Sequence, residues 1–245
     1  MSISFGSARL LRYVITSAAK FSESAVINVS KNEFILKAID PSTVALLVLE
    51  VPRESTIAYR VTSNEQLAVN LEDFSKVLKS AERDDTITLE WTQSSLIVSL
   101  ERRGFKRTFT LPLMSSAGEV FDIELEYPNT YVVSPTYLYE GLESLERFGD
   151  VLKIEGSEEE IRLKAESELG EAEVVLSRER GEIEDSDVRA AGFSTSYTMK
   201  FITYFKPVIR VSEKLVLKVG SELPLYFESA SQGMRIEYYV APRAD

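Results

Sequence analysis

"EFILKAID" at residues 33–40 and "EIRLKAES" at residues 160–167 are near-identical phrases in one chain of 245 residues. The register extends outward from them without a gap. Glu33 aligns with Glu160, Leu36 with Leu163, Lys37 with Lys164 and Ala38 with Ala165. Upstream, Ser7 aligns with Ser134, Leu11 with Leu138, Ile15 with Leu142, Phe21 with Phe148 and Ile27 with Ile154. Apolar positions that match in one register, through a helix-like and then a strand-like stretch, mark a duplicated structural unit.

The repeated unit has a readable shape. "SARLLRYVITSAAKF" sets Leu11, Val14, Ile15, Ala18 and Phe21 on one helical face at steps of three and four. Ser7 stands where an N-cap is expected. "AVINVS" and "FILKAI" then read as two strands joined by the polar turn "KNE". The second copy opens with Ser134 as cap and Pro135 at the first helical position, where a missing N–H costs little. "VLKIEG", "SEEE" and "IRLKAES" repeat the hairpin.

Two fainter versions follow. "LEDFSKVLKSA" carries Phe74, Val77, Leu78 and Ala81 on one face and leads into "DDTITLEW", "TQSS" and "LIVSLE". "YTMKFITYFKPVI" leads into "EKLVLKV", "GSEL" and "PLYFESA". The expected fold is therefore α+β. It has two similar domains, each of two helix–strand–turn–strand units with antiparallel sheets. The small, polar "SSAGE" reads as a linker. The expected boundaries are residues 1–114, a connector over 115–126, and 127–245.

Composition narrows the chemistry. Hydrophobic residues make up 44% and charged residues 27%, as in ordinary globular chains. No apolar run approaches the roughly 18 residues of a membrane span. The longest, "VALLVL" at 44–49, suits a buried strand, and the N-terminus lacks the apolar core of a signal peptide. The expectation is a soluble, intracellular protein with no membrane contact. There is no cysteine and no histidine. That removes disulfides, thiolate nucleophiles, histidine bases and the usual zinc sites. Metal binding by carboxylates alone and carboxylate acid–base chemistry stay open on composition; the expectation is no metal and no cofactor.

The net charge is −11, which taken alone argues against nucleic acid. Distribution matters more than the total. Arg9, Arg12 and Lys20 lie off the apolar face of the first helix, and Lys76, Lys79 and Arg83 off that of the second. Lys200 and Lys206 occur in the fourth, whereas the third carries Glu140, Glu143 and Glu146. Acidic runs gather elsewhere, in "SEEE" at 157–160 and "ERGEIEDSD" at 179–187. Lysine and arginine are ordinary on any solvated helix, so only their recurrence on three of four repeated helices points to a basic face.

"KAIDPSTVALLVLEV", "VNLEDFSKVLKSAERDDTITLEW", "LKAESELGEAEVVLS" and the ending "MRIEYYVAPRAD" together resemble proliferating cell nuclear antigen, the DNA sliding clamp of archaea and eukaryotes. The resemblance covers essentially the whole chain, and the ending is its most specific piece. It implies a clamp-fold trimeric ring, with helices inside, sheets outside and duplex DNA passing through without base readout. Such a ring tethers DNA polymerase, would be cytoplasmic and nucleoid-associated, and catalyses nothing itself. Arg9, Arg12, Lys20, Lys76, Lys79, Arg83, Lys200 and Lys206 would line the channel. Glu140 and Glu143 depart from the basic third helix usual in the family, which leaves a homotrimer and a mixed trimer of related chains both open.

The resemblance also implies a pocket for short partner peptides carrying a glutamine and two aromatics. Clamp loader, DNA polymerase, flap endonuclease and DNA ligase would dock through it. The matching residues are Ile39, Val44 and Leu46, then Val120, Phe121 and Ile123, then Pro224, Tyr239, Val240, Ala241 and Pro242. Alternate strand positions are usually core, and Ile39, Val44 and Leu46 also fit that reading. Subunit contacts would join the strand at 105–113, with Arg107, Phe109 and Leu111, to that at 171–177, with Glu171, Glu173 and Val175. Two other classes remain: a protein scaffold that never touches DNA, and a carboxylate-dependent hydrolase using Asp40, Asp84 or Asp85. The second lacks any phosphate loop or ligand constellation in the sequence.

Overall fold

The computed structural model describes residues 1–116, 123–168 and 170–244. The chain forms two compact units. One comprises Met1–Pro41, Leu47–Phe121 and Gln232–Ile236; the other comprises Ser42–Leu46, Asp122–Ser231 and Glu237–Asp245.

The elements of the first half are β1 (Ser2–Phe5), α1 (Arg9–Ala18), β2 (Ser24–Val29), β3 (Glu33–Ile39), β4 (Ala45–Pro52), β5 (Ala58–Arg60), β6 (Glu65–Asn70), α2 (Leu71–Lys79), β7 (Thr86–Trp91), β8 (Ser95–Arg102) and β9 (Phe105–Pro112). Those of the second are β10 (Asn129–Val133), α3 (Pro135–Leu145), β11 (Val151–Gly156), β12 (Glu160–Ser167), β13 (Gly170–Ser177), β14 (Ile183–Val188), β15 (Phe193–Thr198), α4 (Met199–Ile209), β16 (Lys214–Val219), β17 (Leu225–Ser231) and β18 (Met234–Val240).

The duplication holds element for element. In the first unit the order β5-β1-β7-β8-β9 builds one antiparallel sheet, and β2 pairs on its two sides with β3 and β6. In the second, β14-β10-β16-β17 repeats the first arrangement, and β13-β12-β11-β15 repeats the second. The four expected hairpins are β2–β3, β7–β8, β11–β12 and β16–β17, all antiparallel. Arg103 and Gly104 both take positive φ (49° and 81°) in the turn between β8 and β9. Two such residues make the tight turn whose twist suits a hairpin. Gln232 and Gly233 repeat that backbone between β17 and β18, at φ 54° and 73°.

Helix faces follow the apolar spacing. α1 buries Leu10, Leu11, Val14, Ile15 and Ala18, and α2 buries Leu71, Phe74, Val77 and Leu78. Each large apolar side chain among them contributes about 1.5–3 kcal/mol by leaving water. The start of α1 differs by one residue from expectation. Ala8, not Ser7, is the N-cap, and the Ser7 hydroxyl accepts from the Arg9 N–H at 3.2 Å. Asn70 does cap α2, its side-chain oxygen accepting from Asp73 N–H at 2.9 Å. In α3, Gly141 permits close approach to β13: a Cβ there would sit 2.9 Å from Val174 Cγ1.

Candidate nucleic-acid interface and docking segments

In the first unit, α1, α2 and the turn after α2 bring arginines together. Arg9, Arg12, Tyr13, Ala81, Glu82 and Arg83 line a cleft of about 310 Å3. Arg12 is half-buried, and its Nη1 donates to the Ala81 carbonyl at 3.0 Å. That bond fixes a side chain which would otherwise lose rotamer entropy on meeting a ligand. The Arg9 and Arg12 guanidiniums stand 5.9 Å and 5.8 Å from the Tyr13 ring centre, within cation–π range. Arg83 and Lys20 are exposed, as expected.

The lysines of α2 are a different case. Lys76 is exposed, but its ammonium lies 2.7 Å from Glu72 and 3.4 Å from Asp73. The Glu72 hydrogen bond, then its charge, raises the Lys76 pKa, and the same hydrogen bond lowers that of Glu72. Acids in the first turn and Lys76 and Lys79 in the last also suit the helix dipole. Helix stability alone therefore explains Lys76, and Lys79 adds exposed charge.

The second unit corrects one expectation. Lys206 is not an exposed cation: it is 7% exposed, and its Nζ donates to Glu146 Oε1 at 2.5 Å. It also lies 5.1 Å from the Tyr139 ring centre. The reason is helical phase, since Lys206 falls four residues after buried Ile202 and three before buried Ile209. Lys200 remains exposed, over the Tyr204 ring at 5.8 Å. α3 presents Glu140 and Glu143, with Arg147 drawn to Glu143 at 3.7 Å. Arg210, which the helical spacing of basic residues did not single out, is exposed above Tyr139 at 5.8 Å.

Both expected assembly strands are sheet edges. β9 pairs with β8 and β13 with β12, and among the described residues neither has a strand on its outer side. Arg107, Phe109 and Leu111 alternate along β9 and are all half-buried, while Glu171 and Glu173 of β13 are exposed and Val175 is half-buried. Arg107 is already engaged: its Nη1 donates to the Ser80 carbonyl at 2.8 Å and its Nη2 to the Asp85 carboxylate. Asp85 is fully buried. It is thus a structural acid and not a solvent-facing catalytic one. Among the described residues, no group of three or more carboxylates could hold a metal ion.

The residues expected to dock partner peptides divide by burial. Ile39, Val44, Ile123, Pro224, Ala241 and Pro242 are half-buried. In the second unit, the Ala241 N–H donates to the Val44 carbonyl at 2.8 Å, and Pro242 bridges to Tyr197. Tyr239 is 9% exposed, with its ring 4.8 Å from that of Tyr226 and its hydroxyl 3.2 Å from Glu237. Leu46 and Val240, at 3% and 0% exposed, correct the expectation that they meet a ligand directly. They are core because β4 and β18 are buried on both faces at these positions. Val120 and Phe121 lie outside the described residues.

A duplicated helix–hairpin unit, two open sheet edges and a basic helix face define the architecture of a DNA clamp. Comparison with known proteins agrees. The family described as "Proliferating cell nuclear antigen, N-terminal domain" matches residues 1–115. The "DNA polymerase sliding clamp" of Thermofilum pendens is 30% identical, with 98% of each chain covered. "DNA polymerase sliding clamp 1" of Thermococcus kodakarensis is 27% identical over 98% of this chain and 97% of its own. Among solved structures, the PCNA2–PCNA3 complex of Sulfolobus tokodaii shares the fold at a TM-score of 0.91 and 24% identity, with 100% of both chains covered. The chain belongs to the proliferating cell nuclear antigen family of DNA polymerase sliding clamps. No helix among the described residues is long and apolar enough to cross a membrane.

Proposed function

We propose that this chain is one member of a three-membered ring that encircles duplex DNA and tethers DNA polymerase to it. The observation that carries the reading is the pair of unlike open edges, β9 in the first unit and β13 in the second. A head-to-tail ring needs two different complementary edges on each chain, and pairing them removes two aggregation-prone surfaces. The half-burial of Phe109 and Leu111 suits residues that a neighbour completes. A relative solved as a PCNA2–PCNA3 complex supports pairing between related chains as well as between identical ones.

Retention by enclosure needs only weak attraction to phosphates, which Arg9, Arg12 and Arg83 supply, with Lys20, Lys79 and Lys200 as further charges. Clamp loader, polymerase, flap endonuclease and ligase would share a peptide site at Val44, Ile123, Pro224, Tyr239, Ala241 and Pro242. The chain does no chemistry of its own in this scheme.

Two measurements test the reading. Phe109→Asp places a charge on the open β9 edge. Sedimentation should then give the monomer mass where the unaltered chain, alone or mixed with related chains, gives a trimer. An unaltered chain that stays monomeric in every mixture overturns the ring. Tyr239→Ala should weaken binding of a glutamine/aromatic peptide at least tenfold, about 1.4 kcal/mol, with the trimer mass retained; unchanged peptide affinity removes Tyr239 from the site.

A further inference from the structure

Arg107 sits on the open edge strand, yet its guanidinium reaches inward to the turn that carries the arginine cleft. Its Nη1 donates to the carbonyl of Ser80, the residue that ends α2. Its Nη2 donates to Asp85, whose same oxygen accepts from the Glu82 N–H at 2.6 Å. The Asp85 carbonyl in turn accepts from the N–H of Ala8 at 2.9 Å, at the start of α1. One residue from Ser80, the Ala81 carbonyl holds Arg12. Arg107 and Asp85 thus brace both walls of the cleft formed by Arg9, Arg12, Tyr13, Ala81, Glu82 and Arg83.

The brace has unused capacity. Asp85 Oδ1 and Arg107 Nε are both buried without a hydrogen-bond partner among the described residues. The pair is therefore joined end-on and not in the two-bond fork that arginine and carboxylate can form.

We propose that Arg107 is a positioning residue that couples the β9 edge to phosphate binding. A strand laid on β9 by a neighbouring chain steadies Arg107; Arg107 steadies Asp85 and the 80–85 turn; and the turn holds Arg12 and Arg83 toward the duplex backbone. The proposal rests on the clamp reading and adds a direction of influence to it: closing the ring sharpens its grip on phosphate.

The test uses the full chain, at concentrations where sedimentation shows the trimer, with a fluorescein-labelled duplex read by anisotropy. Asp85→Asn removes a negative charge. Simple electrostatics then expects tighter duplex binding, whereas the brace expects about three- to tenfold weaker binding. Arg107→Gln should weaken binding by the same factor, well beyond Lys31→Gln, which removes the same charge from an exposed turn. Arg107→Gln added to Arg12→Gln/Arg83→Gln should bind no more weakly than that double variant alone, because Arg107 acts through both arginines. Losses that multiply, or tighter binding by Asp85→Asn, overturn the proposal. Should Asp85→Asn fail to fold by circular dichroism, the triple-variant comparison decides alone. An unaltered chain that neither trimerises nor binds the duplex overturns the clamp reading itself, a result distinct from either.

Discussion

The two units share one topology and differ in how they use charge. α1 holds Arg9 and Arg12 with no acid among its residues, and the turn after α2 adds Arg83. At the equivalent place in the second unit, α3 holds Glu140 and Glu143, and α4 turns Lys206 inward to Glu146. Core positions survive duplication because the repeat cannot fold without them, while surface charge is free to drift. The contrast predicts that the first unit supplies most of this chain's attraction to DNA.

The largest expected effect tests the shared part. Ile15 and Leu142 occupy the same place in the repeat and are 0% and 1% exposed. Ile15→Ala and Leu142→Ala should each cost about 2–5 kcal/mol in urea unfolding. A large loss at one and none at the other breaks the equivalence.

Next comes the buried pair. Lys206→Met leaves the Glu146 carboxylate without its ammonium, and Glu146 is partly open to water, so the cost should be about 1–3 kcal/mol of stability. Duplex affinity at low salt should not fall. If it falls as far as in Arg12→Gln, Lys206 reaches the DNA and the contrast between units fails.

Smaller still are the surface charges. Replacing Arg9, Arg12 and Arg83 by glutamine should flatten the salt dependence of duplex binding by about 0.9 unit of log–log slope for each phosphate no longer neutralised. Replacing Glu140 and Glu143 by glutamine should tighten binding about two- to threefold at low salt and hardly at all at high salt, since exposed charges are screened. Equal effects of both units on the slope would erase the difference between them.

Much of this was legible in the residues, and the limits have physical causes. The duplication from Ser7 to Ala38 could be read because apolar spacing is dictated by local geometry. The phase of Lys206 was legible too, from Ile202 and Ile209, but a lysine among apolar residues is easily taken as solvent-facing. The Asp85–Arg107 pair was not: it joins residues of a turn and a later strand, and only tertiary folding brings them together. The burial of Val240 and Leu46 was hidden for a related reason. A strand reveals its two faces by alternation, and "YYV" and "ALLV" are apolar on both.

Enclosure itself can be tested on one plasmid. The assembled protein is loaded onto nicked circular DNA with a clamp loader, separated from free protein by gel filtration, and the plasmid is then cut once. The protein should stay with the circle through the column and leave within the run once a free end exists. Equal retention on circular and linear DNA would contradict a ring that holds by surrounding its substrate.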